Sequence, residues 1–168
     1  MTRPENRPFD ADDIGTFAKA MGIAFTFEGE GCVEGCMPID DWKLQPAGFL
    51  HGGATITLLE SLASRASDLM TDHDTQYSFG VDVHVRHRKP GERGLLYGRA
   101  DLDRIEGNKQ FWNVVAKDEA GDVVSSGVIM TKIVPKERLA EKQRERELQR
   151  AACDACAARG TRRAGGGS

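Results

Sequence analysis

Long apolar segments are absent from this 168-residue sequence. No stretch approaches the roughly 18 uninterrupted apolar residues that a membrane-spanning helix needs. The opening residues, Met1 to Pro8, are not followed by the apolar run of a secretory signal. We therefore expect a cytoplasmic protein with no membrane partner. The formal charge is only −3, so the composition gives no bias toward nucleic acid, and we expect no such partner.

Cysteine is scarce, with four residues in the chain. Without an export signal, these are more typical of reduced thiols than of a disulfide framework. Cys153 and Cys156 have the Cys-x-x-Cys spacing of half a zinc site. A complete site needs about four ligands, and no second pair or histidine cluster follows. We therefore predict no metal site.

The strongest helical pattern follows a turn that runs from Gln45 to Gly53. From Ala54 to Met70 there is no glycine or proline, and apolar residues recur at helical spacing, which predicts a helix of roughly 17–20 residues. The helix has a broad apolar stripe and a narrow second stripe of small residues around one carboxylate. The apolar stripe is Thr55, Leu58, Leu59, Leu62, Ala66 and Leu69, and the second is Gly53, Thr57, Glu60, Ser64 and Ser67.

The remaining pattern between residues 23 and 134 predicts six strands separated by turn sequences. They are expected at residues 23–28, 32–38, 79–89, 94–104, 110–118 and 123–134. In the third strand, alternation predicts that Phe79, Val81, Val83 and Val85 face one side. The order predicts an α+β fold in which an antiparallel sheet surrounds a single buried helix.

Two flanking segments complete the predicted organisation. Residues 10–21 are expected to form a short helix, and the charged segment from residue 136 to about 159 a solvated helix. We therefore predict one domain over residues 1–135, followed by an extension over 136–168 with a flexible, glycine-rich end.

The motif His51-Gly52-Gly53, with Glu60 nine residues after the histidine, resembles that of the hotdog-fold acyl-CoA thioesterases. The resemblance is to the 4-hydroxybenzoyl-CoA (Arthrobacter-type) and 1,4-dihydroxy-2-naphthoyl-CoA group, related to the phenylacetate-pathway thioesterases. Gln45 before the motif, Ser64 after Glu60 and the strand order agree with it, over about residues 20–134. It implies a hotdog fold, with a long central helix wrapped by a curled antiparallel sheet of about five to six strands, and a homodimer that often pairs into a homotetramer.

The resemblance also implies a role for each motif residue. The Gly52 N–H would polarise the thioester carbonyl, and Glu60 would act as nucleophile or as general base on water. Gln45 would orient the thioester or the water, Ser64 would assist Glu60, and His51 would contact the substrate or shape the turn. No cofactor is implied beyond the coenzyme A of the substrate. By resemblance, charge or exposed N–H, the residues expected to bind substrate or CoA are Gly53, Arg86, His87, Arg88, Lys89 and Lys109.

The spacing of Gly52 and Glu60 leads to a separate expectation about assembly. Eight residues along one helix correspond to about 12 Å, so one subunit cannot easily bring both groups to one carbonyl. Two antiparallel helices across a symmetric interface can do so. The spacing therefore predicts a dimer with two composite sites, independently of the resemblance.

The predicted reaction is hydrolysis of an aryl- or medium-chain acyl-CoA to the free acid and CoA. The alternative is a non-catalytic acyl-CoA-binding sensor or scaffold of the same fold, with the charged extension as a docking segment. The basic cluster Arg86–Lys89 also has a simpler interpretation, because charge is typical of edge strands that stay soluble.

Overall fold

The structure is a computed structural model that describes residues 16–163, with side chains from residue 17 to residue 150. The elements in chain order are α1 (Thr16–Ala20), β1 (Ala24–Gly29), β2 (Cys32–Pro38), a 3-10 helix (Asp41–Lys43), α2 (Gly52–Leu69), β3 (Gln76–His87), β4 (Leu95–Glu106), β5 (Lys109–Lys117), β6 (Val123–Pro135) and α3 (Lys136–Arg163). Within this described part, no helix has both the length and the apolar character that crossing a membrane would require.

The six strands form one antiparallel sheet in the order β1-β2-β4-β5-β6-β3. The strands β4, β5 and β6 are joined by hairpins; in the tighter of the two, Glu106 pairs with Lys109 and Gly107 has a φ of 61°. β1 and β3 are the edges of the sheet within the subunit. β3 follows α2 in the chain and pairs with the last strand, β6. The predicted α+β architecture is confirmed.

The inner face of the sheet packs on α2, and the core lies between them. Burial follows the helical period: Leu58, Leu59 and Leu62 are fully buried against β2, β4 and β5. At two positions of the predicted helix stripes, the burial that the stripe implied is wrong. Leu69 is 42% exposed, because it is the last residue of the helix, and Ser67 is fully buried, because the sheet curls far enough around α2 to cover that side.

The predicted alternation along β3 is also wrong, because the strand contains a bulge. The pairing with β6 shifts between Gly80 and Asp82, so that Val81 is an extra residue. Phe79 and Val81 are exposed, whereas Val83 and Val85 pack against the core. One inserted residue thus moves the two halves of an apparently regular pattern to opposite faces of the sheet.

The flanking helices are described in part. α1 begins at Thr16, and residues 10–15 of the predicted first helix lie outside the described residues, as does the predicted flexible end at 165–168. α3 is helical as predicted, and its side chains from residue 140 to 150 are exposed. Its first residue is tied to the domain: the Lys136 N–H donates to the Thr75 carbonyl, and Lys136 Nζ lies 4.9 Å from the centre of the Tyr77 ring. The side chains of Cys153 and Cys156 lie outside the described residues.

Candidate active site

The turn before α2 is fixed by backbone hydrogen bonds. The Gln45 N–H donates to the Phe49 carbonyl and the Gly48 N–H to the Gln45 carbonyl, both at 2.8 Å. Gly48 has a φ of 84°, a conformation that glycine adopts without the steric cost of a β-carbon. The turn therefore folds Gln45 back against Phe49, three residues before α2 begins.

His51 caps the first turn of α2. Its backbone is extended, and its Nδ1 accepts a hydrogen bond of 2.9 Å from the Gly53 N–H. The first N–H groups of a helix have no partner within the helix, and His51 satisfies the one that Gly53 contributes. The N–H of Gly53, which the sequence suggested as a group for the substrate, is thus engaged within the turn.

The Gly52 N–H has no hydrogen-bond acceptor among the residues that the structure describes. Gly52 is the first residue of α2, so its N–H points out of the helix at the positive end of the helix dipole. The imidazole of His87 packs directly on the α-carbon of Gly52, since a β-carbon at Gly52 would stand 2.6 Å from His87 Nε2. His87 Nδ1 in turn shares a 2.8 Å hydrogen bond with the buried Ser125 hydroxyl.

Glu60 lies two turns further along α2 and faces the same edge strand. A β-carbon at Gly80 would stand 2.7 Å from Glu60 Oε1, so the carboxylate rests on the backbone of β3 at its bulge. Within the described chain, this carboxylate has no hydrogen bond or ion pair. Ser64 is one turn after Glu60 and, like it, is half-buried. The structure thus places Glu60 and Ser64 side by side, with the carboxylate oxygens available.

The four residues of the basic cluster differ in surroundings. Arg86 is exposed, and Arg88 Nε contacts the Ser126 hydroxyl at 3.4 Å. Lys89 forms ion pairs of 2.6 Å with Asp118 and 2.8 Å with Asp122. The hydrogen bonds that Lys89 donates, first to Asp118 and then to Asp122, raise the pKa of Lys89.

Lys109 lies far from this cluster within one subunit. Lys109 pairs with Lys132 at one end of β6, whereas His87 pairs with Ser125 near the other. Seven residues of strand separate these positions on β6, which corresponds to about 23 Å. One subunit therefore does not bring Lys109 to the same ligand atom as Arg86 or His87.

A shallow pocket of about 250 Å³ opens beside the start of α2. Its lining is mainly apolar and consists of Met21, Trp42, Lys43, Leu44, His51, Ala54 and Thr57. Trp42 is 63% exposed at its rim. The Lys43 ammonium is buried and bound to the Pro38 carbonyl and Asp40, both at 2.7 Å, which anchors this wall.

Two features next to Glu60 were missed at the sequence level. One is Gly80, although a glycine inside a strand pattern is itself a signal of a bulge or of a close approach. The other is a buried polar cluster that links α2 to β3, β5 and β6. Ser67 Oγ lies 2.5 Å from both Ser78 Oγ and Gln110 Oε1, and Thr131 Oγ1 accepts from Trp112 Nε1 at 2.9 Å.

The sequence and the fold match a known family. The profile of the thioesterase superfamily matches residues 47–125. The chain is 34% identical to the proofreading thioesterase EntH of Cronobacter sakazakii over 112 residues, which are 67% of this chain and 81% of that protein. The chain therefore belongs to the thioesterase superfamily.

Solved structures support the same fold. A glutamine-to-alanine variant of the thioesterase PA1618 from Pseudomonas aeruginosa superposes with a TM-score of 0.68 at 27% identity, over 71% of this chain and 86% of that one. The Escherichia coli PaaI protein from the phenylacetic acid degradation operon shares the fold, with a TM-score of 0.65 at 16% identity, over 71% and 85%. The chain is a thioester hydrolase with a hotdog fold, as the resemblance implied.

Proposed function

We propose that this protein hydrolyses aryl- or medium-chain acyl-CoA thioesters to the free acid and CoA, at two composite sites of a homodimer. Each site consists of the Gly52 N–H from one subunit and the Glu60 carboxylate from the other. The observation that carries the proposal is that both groups lack a partner within the described subunit and both face the edge strand β3.

Gly52 supplies the electrophilic half of the site. As a thioester carbonyl is attacked, negative charge develops on its oxygen, and a preorganised N–H at a helix N-terminus stabilises that charge. The capping of Gly53 by His51 leaves the neighbouring Gly52 N–H as the donor that points out of the turn. The His87 ring beside Gly52 forms the wall against which the thioester group lies.

Glu60 supplies the other half, as nucleophile at the carbonyl carbon or as general base for a water molecule. As nucleophile it forms an acyl anhydride and releases CoA thiolate, and water then cleaves the anhydride. As general base it takes a proton from the water that attacks the carbonyl carbon. The tetrahedral intermediate then collapses, and the C–S bond breaks to release CoA thiolate. In either case, Gln45 orients the thioester or the water, and the Ser64 hydroxyl assists near the Glu60 carboxylate.

The dimer follows from the character of β3. Tyr77, Phe79 and Val81 are 48%, 45% and 55% exposed on this edge strand. An edge strand with free backbone groups and large apolar side chains is suited to pairing with a second copy. We therefore propose that β3 pairs antiparallel with the β3 strand of a partner about a two-fold axis.

This pairing brings the two halves of the site together. Gly52 lies at the His87 end of β3, and Glu60 lies at Gly80, toward the other end. A two-fold axis midway between these positions, near Val83 and His84, sets Gly80 opposite the partner's His87. Glu60 then meets the partner's Gly52, and the distance of about 12 Å along one helix no longer separates them.

The CoA phosphates are assigned to Arg86 and Arg88, whose guanidinium groups carry no ion pair within the described residues. Guanidinium groups bind phosphate with paired hydrogen bonds. Lys89 is already neutralised by two aspartates, so we assign it a smaller part in binding the CoA phosphates. Lys109 lies about 23 Å from the His87 position along β6, so we assign it no contact with the phosphate group that Arg86 and Arg88 bind in the same subunit.

The test is release of CoA from a panel of benzoyl-type, phenylacetyl, naphthoyl-type and straight-chain acyl-CoA thioesters, followed with a thiol-trapping dye. We expect fast turnover of at least one aryl or medium-chain substrate, and loss of it in Glu60→Gln while the oligomeric state by light scattering is unchanged. No turnover of any CoA thioester by the wild-type protein, or full turnover by Glu60→Gln, would contradict the proposal.

A further inference from the structure

Gly80 is the residue against which the Glu60 carboxylate rests. A β-carbon at position 80 would stand 2.7 Å from Glu60 Oε1, 3.7 Å from Cδ and 3.8 Å from Cγ. All three of these atoms belong to the same side chain. The contact therefore exists because position 80 has no side chain, and any other residue there would occupy the space of the carboxylate.

Other glycines of the sheet meet different neighbours. A β-carbon at Gly127 would collide with the backbone carbonyl of His84, and one at Gly98 would stand 2.5 Å from a methyl carbon of Leu62 in the core. Substitution at those positions strains the backbone or the packing. At Gly80 the atom that must move is the end of a flexible side chain, so the structural cost is small and the displacement falls on Glu60.

The strand at Gly80 is held so that it cannot retreat from α2. Gly80 pairs with Thr131, whose hydroxyl donates to Ser67 of α2 at 2.9 Å. Two residues before Gly80, the Ser78 hydroxyl lies 2.5 Å from the same Ser67 hydroxyl. These hydrogen bonds join α2 to β3 and β6 on the Ser67 side of the contact, and such networks are rigid when fully satisfied.

We propose that Gly80 is a positioning residue for the hydrolysis reaction: the bare backbone at the β3 bulge sets where the Glu60 carboxylate stands. The inference rests on the catalytic role proposed for Glu60. It adds that the carboxylate is placed by steric contact with β3, in a subunit that offers it no hydrogen bond among the described residues. Because ordinary contacts begin near 3.4 Å, a methyl group at position 80 displaces the carboxylate by about 0.7 Å.

The experiment compares four variants for kcat, KM and thermal unfolding: Gly80→Ala, Glu60→Asp, the Gly80→Ala/Glu60→Asp double variant and Glu60→Gln. A displacement approaching 1 Å costs up to about 100-fold in rate, so we expect kcat of Gly80→Ala to fall by about 10- to 100-fold. KM and the melting temperature should change little. Gly98→Ala is the matched control, with a lowered melting temperature and an unchanged kcat.

The Glu60→Asp background separates positioning from a general structural effect. Aspartate is shorter by one methylene, so its carboxylate does not reach the methyl group added at position 80. Glu60→Asp alone lowers activity, and Gly80→Ala should cost little further activity in that background. This loss of effect is a coupling between two touching residues that additive damage cannot produce.

The outcomes distinguish the inference from the function on which it rests. Full activity of Glu60→Gln would overturn the proposed function itself. Loss of activity in Glu60→Gln with wild-type kcat in Gly80→Ala would overturn only the role of Gly80. Additive losses in the double variant, or a Gly80→Ala protein that fails to fold, would also overturn it, because the clash would then not be absorbed by Glu60.

Discussion

The two ends of α2 carry polar groups in opposite situations. At the C-terminal end, Ser67 belongs to a cluster whose hydroxyl, amide and indole groups are buried and hydrogen-bonded to one another. At the N-terminal end, the Gly52 N–H and, further along, the Glu60 carboxylate have no such partner in the described chain. The same helix is thus an anchor at one end and a reactive surface at the other.

The difference teaches how the fold separates stability from chemistry. Buried polar groups are costly unless paired, so the cluster around Ser67 stabilises the fold only because it is complete. A group that must bind a developing charge has to be left without an internal partner. Changes to the reactive groups should therefore lower activity, and changes to the cluster around Ser67 should lower stability.

The largest effect is expected for the Gly52 N–H. Proline is accepted as the first residue of a helix and lacks the N–H, and His51 before it already has the extended backbone that proline requires, with φ −63° and ψ 131°. Relative to Gly52→Ala, Gly52→Pro should lower kcat by about 100- to 1,000-fold, measured by CoA release. Both variants displace His87, and only proline removes the donor, so equal activities would refute the oxyanion role.

A stability effect is expected at the opposite end, from Thr131→Val. The valine keeps the shape but removes the hydroxyl that accepts from Trp112 Nε1 and donates to Ser67. Leaving a buried N–H unpaired costs about 1–3 kcal/mol, which urea unfolding will detect. The kcat per folded molecule should stay within a few-fold, because the Ser78–Ser67 hydrogen bond and the β3–β6 pairing still hold the strand at Gly80. Thr26→Val makes the same chemical change at an exposed strand position and should leave the unfolding free energy unchanged. A Thr131→Val protein with wild-type stability would contradict the anchor role.

The smallest effect concerns the cap that His51 provides. Removing a side-chain cap costs about 1 kcal/mol of stability, so His51→Ala should lower the unfolding free energy by that amount. His51→Asn keeps an acceptor for the Gly53 N–H and should recover most of it. If asparagine restores stability but not activity, His51 also contacts the substrate; if alanine leaves stability unchanged, the cap is not what holds the turn.

Sequence reasoning succeeded where a local pattern determines the structure. The period of Leu58 and Leu62 defines the helix, and the glycine-containing turn before it defines where the helix begins. Both groups assigned to chemistry, Gly52 and Glu60, lie on that one helix as predicted.

The features that the sequence did not predict depend on contacts between residues that are far apart in the chain. The bulge at Gly80 leaves the alternation of Phe79 to Val85 intact in the sequence while reversing the faces in space. Ser67 belongs to the reactive stripe on a helical wheel, but how far the sheet curls around α2 is not a property of the helix sequence. Contacts such as Glu60 with Gly80 depend on elements separated along the chain, so no local pattern contains them.

The central claim is that one catalytic site takes Gly52 and Glu60 from different subunits. Its most direct test is a heterodimer of Gly52→Pro and Glu60→Gln subunits, isolated through two different affinity tags, with each inactive homodimer as control. A composite site predicts that this heterodimer regains about half of the wild-type activity, because one of its two sites is intact. Activity no higher than that of the homodimers would contradict the account and would place both groups in one subunit.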